Sequence, residues 1–307
     1  MPPRPSLGMS TDALRTPDAA FAAVPDFPYA PRYADDLPGF AGLRLAYVDE
    51  GPRDAAQTFL CLHGQPTWSF LYRKMIPVFV AAGARVVAPD FFGFGRSDKP
   101  FDEAAYSFAF HRDTLLRLIE RLSLRAITLV VQDWGGLLGL TLPLDVPERI
   151  ARLLAMNTAL AAGDVPVGPG FLAWQAYANA HPDLDVARLM QRSVPGLRDD
   201  EAAAYAAPFP DARSKAGVRA FPKLVPTEPD MPGAELARRA RTWWSTRWSG
   251  PSFFAVGLRD PVLGVPAMTA LRAIVRGAPA PLELPGAGHF VQEAGDVVAR
   301  AALAAFG

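Results

Sequence analysis

The sequence has almost no cysteine, no excess of charge of either sign and no apolar run long enough to cross a bilayer. Its 307 residues contain one cysteine, Cys61, which excludes an internal disulfide, and no Cys/His cluster has zinc spacing. Lys+Arg and Asp+Glu both number 31, so nothing favours a nucleic-acid or polyanionic partner. We therefore expect a soluble, cytoplasmic protein.

The amino terminus also lacks a charged start followed by an apolar block, so no secretory signal is expected. Met9 offers an alternative start, which would make residues 1–8 a disordered extension.

Short apolar, partly β-branched segments recur along the chain and alternate with helix-like patterns, as at Leu115, Leu118 and Leu122. This alternation predicts an α/β fold with a mostly parallel sheet and helices on both faces. The predicted strands are 43–49, 58–62, 85–90, 126–131, 153–157, 253–257 and 281–284.

The alternation stops between about residues 157 and 230, a stretch rich in Pro, Ala and aromatic residues with no convincing strand. We predict a helical cap domain at 157–230, inserted into a core domain formed by residues 1–156 and 231–307.

The segment Val131-Gln-Asp-Trp-Gly-Gly136 lies where a predicted buried strand turns into a helix. Such a sharp turn needs small neighbours so that its central residue can project from the sheet. That residue is commonly serine, but the chain has no G-x-S-x-G and offers Asp133 instead. An Asp there is either the N-cap of the helix or a nucleophile. An ionised carboxylate needs no base to attack a saturated carbon, and the product is an ester on Asp133.

A base and an acid are needed to hydrolyse such an ester, and the chain has four histidines. His289 lies in a Gly-rich loop after the last predicted strand, where it can reach the turn from the side. His63 is predicted to shape an oxyanion turn, and His111 and His181 to lie on the surface. Asp260 follows the strand 253–257 and is the predicted acid, although an Asp before Pro also suits a simple turn.

The segment His63-Gly-Gln-Pro66 after an early strand is typical of an oxyanion hole, with the backbone N–H groups of Gln65 and Trp134 as donors. A departing halide needs hydrogen-bond donors in a dry pocket, and an indole N–H donates without titrating. Trp134 and the cap residue Trp174 are the predicted halide ligands. The other tryptophans, predicted to be packing residues, are Trp68, Trp243, Trp244 and Trp248.

Four segments together resemble the haloalkane dehalogenases, most closely the subfamily with its acid after the later strand and two Trp halide ligands. They are His63-Gly-Gln-Pro-Thr-Trp68, Asp90-Phe-Phe-Gly-Phe-Gly-Arg-Ser-Asp-Lys-Pro100, Val131-Gln-Asp-Trp-Gly-Gly136 and Gly286-Ala-Gly-His-Phe-Val-Gln-Glu293. Gln65 stands where well-known relatives have Glu or Asn, which leaves the role of its side chain open. Leu137 is smaller than the expected aromatic and the stretch 157–171 is short, which leaves substrate size open.

The resemblance implies an α/β-hydrolase fold with Asp133 as nucleophile, His289 as base and Asp260 as acid. It implies no metal or cofactor, and a monomer that takes a small apolar halogenated substrate and water, releases halide and binds neither nucleic acid nor membrane. The implied pocket residues are Phe171, Phe221, Pro222, Val225, Val262 and Leu263.

Three alternatives start from the same fold. An epoxide hydrolase shares the Asp nucleophile but needs phenol donors from the cap, and Tyr177 and Tyr205 are available. A haloacid-cleaving enzyme is expected to carry Arg after the nucleophile, where this chain has Trp134. A catalytically inactive receptor usually lacks a member of the triad, and all three members are present.

Overall fold

The computed structural model describes residues 12–307 and builds them around an eight-stranded sheet. The expectations for residues 1–8 and Met9 lie outside the described residues. In chain order the strands are β1 Ala13–Leu14, β2 Arg32–Ala34, β3 Leu45–Glu50, β4 Thr58–Leu62, β5 Arg85–Pro89, β6 Lys99–Pro100, β7 Ile127–Gln132, β8 Ile150–Met156, β9 Ser252–Gly257 and β10 Leu282–Leu284.

The order across the sheet is β10, β9, β8, β7, β4, β5, β3, β2, while β1 pairs with β6 in a separate ribbon. Neighbouring strands from β10 to β5 run parallel. At the other side of the sheet, β3 runs antiparallel to both of its neighbours, β5 and β2. Every residue of β4, β5 and β7 is buried, so both faces of these central strands are covered. The mostly parallel α/β sheet expected from the sequence is confirmed.

Helices pack on this sheet; α3 contacts β7 and β4, and α1 contacts β5. The α-helices are α1 Ile76–Ala81, α2 Phe108–Arg121, α3 Trp134–Gly139, α4 Pro169–Ala180, α5 Val186–Ser193, α6 Asp199–Ala206, α7 Ala216–Leu224, α8 Ala234–Thr246, α9 Val265–Ile274 and α10 Gly295–Phe306. Short 3-10 helices are Asp18–Phe21, Ser69–Tyr72, Glu103–Ala105, Leu142–Leu144, Pro147–Arg149, Ala212–Lys215 and Val291–Ala294.

Helices α4 to α7 lie between β8 and α8, and residues 157–230 contain no strand. A buried ion cluster ties this helical segment to the rest of the molecule. The Arg73 guanidinium donates to Glu201 of α6 at 2.8 Å and to Glu293 at 2.7 Å, and the Tyr205 hydroxyl also donates to Glu293 at 2.5 Å. Breaking a buried pair on one side only is costly, so this cluster fixes α6 in place. The division into a 157–230 cap and a core stays a prediction.

His111 does not lie on the surface as predicted: only 1% of it is exposed, and its ring packs against Phe221 and Tyr106. The reason is visible in the periodicity, because residues 111, 115, 118 and 122 share one face of α2. His181 is exposed. Burial lowers the pKa of His111 to about 3 and that of His63 to about 4, so both rings are neutral in the folded protein.

These neutral histidines predict a loss of stability in acid. Their folded pKa lies below the unfolded value, so their contribution is present above about pH 6.5 and is lost as the pH falls towards the folded pKa. Each should lower the free energy of unfolding by about 1.4 kcal/mol per pH unit below 6.5. We expect His111→Phe to halve this slope in urea unfolding between pH 7 and pH 5. His181→Phe, at an exposed position, serves as the control, and equal slopes in all three proteins would contradict the assignment.

Candidate active site

Asp133 occupies a strained turn between β7 and α3, with φ 49° and ψ −126°. Only glycine fits at positions 135 and 136. A Cβ on Gly135 would lie 1.9 Å from the Leu62 carbonyl oxygen, and one on Gly136 would lie 1.9 Å from Thr158 Oγ1. Strained backbone of this kind persists only where the surroundings fix it and is concentrated at functional sites. The predicted sharp turn after a buried strand is therefore present at the carboxyl end of the sheet.

Asp133 occupies the N-cap position of α3, but its side chain makes no capping hydrogen bond, so capping does not account for the carboxylate. Instead, Oδ1 accepts the backbone N–H of Gln65 at 2.8 Å. A Cβ on Gly64 would lie 2.2 Å from the same oxygen, so the absence of a side chain there lets the carboxylate approach the 63–66 turn. The two backbone segments predicted to form one site are in direct contact.

His289 lies between two carboxylates. Its Nδ1 is 2.8 Å from Asp260 Oδ2, and its Nε2 is 3.6 Å from Asp133 Oδ2. Asp260 is 6% exposed and also accepts the Asn157 amide at 2.9 Å and the Val262 N–H at 2.8 Å. The structure thus brings together the three residues that the sequence singled out as a triad.

The charges in this group shift its pKa values in opposite directions. Burial lowers the pKa of His289, but the carboxylates of Asp260 and Asp133 outweigh it and raise the pKa to about 10. Burial raises the pKa of Asp260, but His289 and the hydrogen bonds from Val262 and Asn157 more than offset this, and the net shift is downward. Asp260 is therefore ionised at neutral pH, and Asp260 and Asp133 together favour the protonated form of His289.

Of the two predicted oxyanion-hole donors, the Gln65 N–H already contacts the Asp133 carboxylate. Trp134 is the first residue of α3, so its N–H has no partner within the helix. His63 shapes the turn: its Nδ1 is 2.8 Å from the Gly64 carbonyl oxygen, and its Nε2 accepts the Phe91 N–H at 2.9 Å. The Gln65 side chain donates to the Val218 carbonyl of α7 at 3.1 Å, which links the turn to the helical segment.

A cavity of about 900 Å³ opens onto this group, and its lining includes Asp133, Asp260 and His289. Most of its wall is apolar, as suits a pocket with a few polar groups. Phe221 was predicted to line the cavity, and this prediction is wrong. That side chain is fully buried behind Trp134, with ring centroids 4.6 Å apart. The other predicted pocket residues do line the cavity: Phe171, Pro222, Val225, Val262 and Leu263.

Two indoles face the same cavity, those of Trp134 and Trp174. Within residues 12–307 neither indole N–H donates to a protein acceptor. Three other indoles do donate, to Ala204 from Trp68, to Leu140 from Trp244 and to Ser252 from Trp248. Trp243 is partly buried against the core. Trp134 and Trp174 are therefore the pair with free donors at the cavity wall.

The two cap tyrosines that an epoxide hydrolase would need do not line the cavity. Tyr205 is fully buried and its hydroxyl is held by Glu293. Tyr177 stacks on His181 with ring centroids 4.1 Å apart. Neither phenol is available to protonate an opening epoxide ring in this cavity, which disfavours that alternative.

Two amides at the triad were missed by sequence reasoning. Asn157 was noted only because its segment offers no acid, yet its Nδ2 donates to Asp260. Gln132, the last residue of β7, contacts both the ring and the backbone of His289. The signal that could have found them is a polar residue at the end of an otherwise apolar buried strand, since such a residue needs a partner.

Within residues 12–307, no group of three or more His, Cys, Asp or Glu residues could hold a metal ion. None of the helices in that part of the chain is both long and apolar enough to cross a membrane.

Comparison with known proteins places the chain in one family. The alpha/beta hydrolase fold family matches residues 57–296. Haloalkane dehalogenases of Psychrobacter cryohalolentis and Mycolicibacterium paratuberculosis are 43% and 42% identical to it, and each match covers 91% of this chain and 93% of the relative. The solved structure of the tetrameric haloalkane dehalogenase DpaA of Paraglaciecola agarilytica superimposes with a TM-score of 0.94 at 50% identity, over 96% of this chain and 99% of that one. These matches and the sheet described above agree, and the chain belongs to the haloalkane dehalogenase family, hydrolases that act on carbon–halide bonds.

Proposed function

We propose that Asp133 attacks the carbon that bears the halogen, forms an alkyl ester and releases halide, and that His289 activates the water that hydrolyses this ester. The observation that carries the proposal is the position of one carboxylate. Asp133 faces an apolar cavity with one oxygen on a backbone N–H and the other 3.6 Å from His289 Nε2. An ionised carboxylate in that place is a nucleophile that needs no activation.

In the second step, water attacks the carbonyl carbon of the Asp133 ester. The N–H groups of Gln65 and Trp134 would stabilise the resulting oxyanion. The Gln65 N–H already binds a carboxyl oxygen of Asp133, and the Trp134 N–H has no partner within α3. His289 takes the proton from water at Nε2, and Asp260 holds Nδ1–H and stabilises the imidazolium that forms.

The bond from the acyl carbon to the alkoxy oxygen then breaks, His289 gives its proton to that oxygen, and the alcohol leaves. Asp133 is left as a carboxyl group, which releases one proton to solvent and becomes the carboxylate again. These roles correspond to the subfamily with an Asp-His-Asp triad and two Trp halide ligands.

Halide release gives the proposed Trp134 and Trp174 pair a measurable role. Bromide or iodide should quench the intrinsic tryptophan fluorescence saturably, since both indole N–H groups are free to donate to the anion. In Trp174→Phe one charge-assisted hydrogen bond is lost, so we expect halide to bind roughly tenfold more weakly. Trp243→Phe is the matched control, because that indole does not line the cavity. Equal halide affinity in both variants would exclude Trp174 as a ligand.

The cavity volume sets an expectation for the substrate. About 900 Å³ lies near the upper end of pockets that take drug-sized ligands, so short dihaloethanes would leave much of the wall uncovered. Longer 1-bromoalkanes bury more apolar area, at about 25 cal/mol per Å². We expect kcat/KM for bromide release to rise from two to six carbons, with no diol formed from styrene oxide. Diol without bromide release would contradict the proposed function.

The predicted monomer is not tested by these observations and stays a prediction, and the solved relative described above is a tetramer.

A further inference from the structure

Gln132 is fully buried at the end of β7, directly before the proposed nucleophile. Its side-chain Nε2 lies 3.1 Å from the backbone carbonyl oxygen of His289 and 3.0 Å from the Nε2 of the same residue. One amide group therefore contacts both the main chain and the reactive ring nitrogen of the proposed base.

The backbone carbonyl decides which end of the amide faces His289. A carbonyl oxygen only accepts hydrogen bonds, so the amide atom 3.1 Å from it must be the NH₂ and not the oxygen. The same NH₂ then points its second hydrogen at His289 Nε2. Because an amide NH₂ only donates, this contact favours the state in which the facing nitrogen is unprotonated.

The other ring nitrogen is consistent with this arrangement. Nδ1 lies 2.8 Å from Asp260 Oδ2, and an ionised carboxylate only accepts, so the ring proton is on Nδ1. Gln132 and Asp260 thus select the same neutral tautomer from opposite sides of the ring. Its free lone pair is on Nε2, the nitrogen nearest Asp133.

The charged groups around the ring oppose Gln132 in the resting enzyme. Asp133 and Asp260 both favour the imidazolium. Other charged side chains line the same cavity: Asp164, Arg192, Arg241 and Arg259. Once Asp133 becomes an ester, its negative charge is gone, and the NH₂ of Gln132 remains against Nε2.

We propose that Gln132 is a positioning residue that keeps His289 Nε2 unprotonated in the ester intermediate until the attacking water replaces the NH₂ of Gln132 on the single lone pair of that nitrogen. This inference rests on the proposed role of His289 as base. When water gives up its proton, the new Nε2–H faces the NH₂ of Gln132, and this donor–donor contact favours transfer of the proton to the alkoxy oxygen, which leaves as alcohol.

The test is to measure the two steps separately as a function of pH in Gln132→Met and Gln132→Glu. Methionine keeps the length without the donor, and glutamate puts an acceptor in place of it. Halide release in the first turnover should stay within about twofold of wild type, because Gln132 does not contact the reacting carboxylate. In the methionine variant the midpoint of the pH profile for ester hydrolysis should rise by about one pH unit, so the hydrolysis rate at pH 6 should fall about tenfold. The fall should be larger in the glutamate variant.

Gln292→Met is the matched control, since that amide is equally buried and makes no hydrogen bond to His289 within the described residues. Equal slowing of hydrolysis at every pH, or profiles that superimpose on wild type, would overturn the inference. If a Gln132 variant does not fold, nitrogen NMR of labelled histidine in Asp133→Asn gives the same answer, because a proton on Nε2 of the neutral ring contradicts the proposal. Turnover in His289→Gln within about tenfold of wild type would instead overturn the proposed function, so the two failures can be told apart.

Discussion

His289→Gln is expected to release one halide per active site and then stop. The first step needs only the carboxylate of Asp133 and a halide site, and neither includes His289. The second step needs a base at Nε2, and glutamine cannot take a proton from water. Loss of a general base costs about 10²–10⁴-fold, so steady-state turnover should fall by that factor while the first turnover remains.

Mass spectrometry of the stalled variant should show an added alkyl group, and peptide mapping should place it on Asp133. A rapid-quench measurement of bromide gives the size of the burst. His181→Gln is the control, because this histidine is exposed and its ring contacts the backbone carbonyl and the ring of Tyr177, far from the proposed chemistry in sequence and outside the cavity lining. Steady-state turnover in His289→Gln within about tenfold of wild type, or an adduct on another residue, would contradict the proposed roles of Asp133 and His289.

The central strands could be read from the sequence because each is a short apolar run buried on both faces. The segment 58–62 was predicted with the bounds that the structure gives. Strand β8 begins at Ile150, three residues before the predicted start at residue 153. The prediction began too late because the charged Arg152, in the half-buried first part of the strand, interrupts the apolar pattern. Strand ends depend on pairing partners, which a single sequence does not show.

The candidate site was predictable for a similar reason. In a parallel sheet, residues that follow different strands meet at one edge, so Asp133, Asp260 and His289 could be grouped from their places after strands. Asn157 and Gln132 escaped because an amide at a strand end has no distinctive pattern. Their roles depend on hydrogen bonds to residues 103 and 157 positions away in the chain.

Two side chains were placed wrongly for want of three-dimensional packing. Phe221 and Pro222 are neighbours on α7, one side of which faces the cavity. Successive side chains on a helix point about 100° apart. Pro222 therefore lines the cavity while Phe221 packs behind Trp134. His111 was assigned to the surface from its polarity, although its helical face was already marked as apolar.

Asp133→Asn is expected to abolish halide release, by more than about 10⁴-fold, while leaving the fold intact. The amide is a poor nucleophile, yet its oxygen can still accept the Gln65 N–H. Asparagine also tolerates the positive φ of 49° at this turn better than most residues do. The melting temperature should therefore stay within a few degrees, and an intact mass must show that the amide has not reverted to Asp. Asp164→Asn, another carboxylate of the cavity wall, is the control.

The same variant reports the state of the base in the ester intermediate, because an uncharged residue 133 stands in for the ester. In wild type, two carboxylates raise the pKa of His289 to about 10, above its unfolded value near 6.5. Its contribution to stability is therefore full below pH 6.5 and is lost as the pH rises through about 10. Without the charge on Asp133 the folded pKa should fall, so this loss ends at a lower pH. Histidine NMR titration and urea unfolding from pH 6 to pH 10 would both show the change. If the His289 titration is unchanged in Asp133→Asn, the charge on Asp133 does not help to hold the proton on His289. Alkylation of Asp133 in the first step would then not prepare the base for the second.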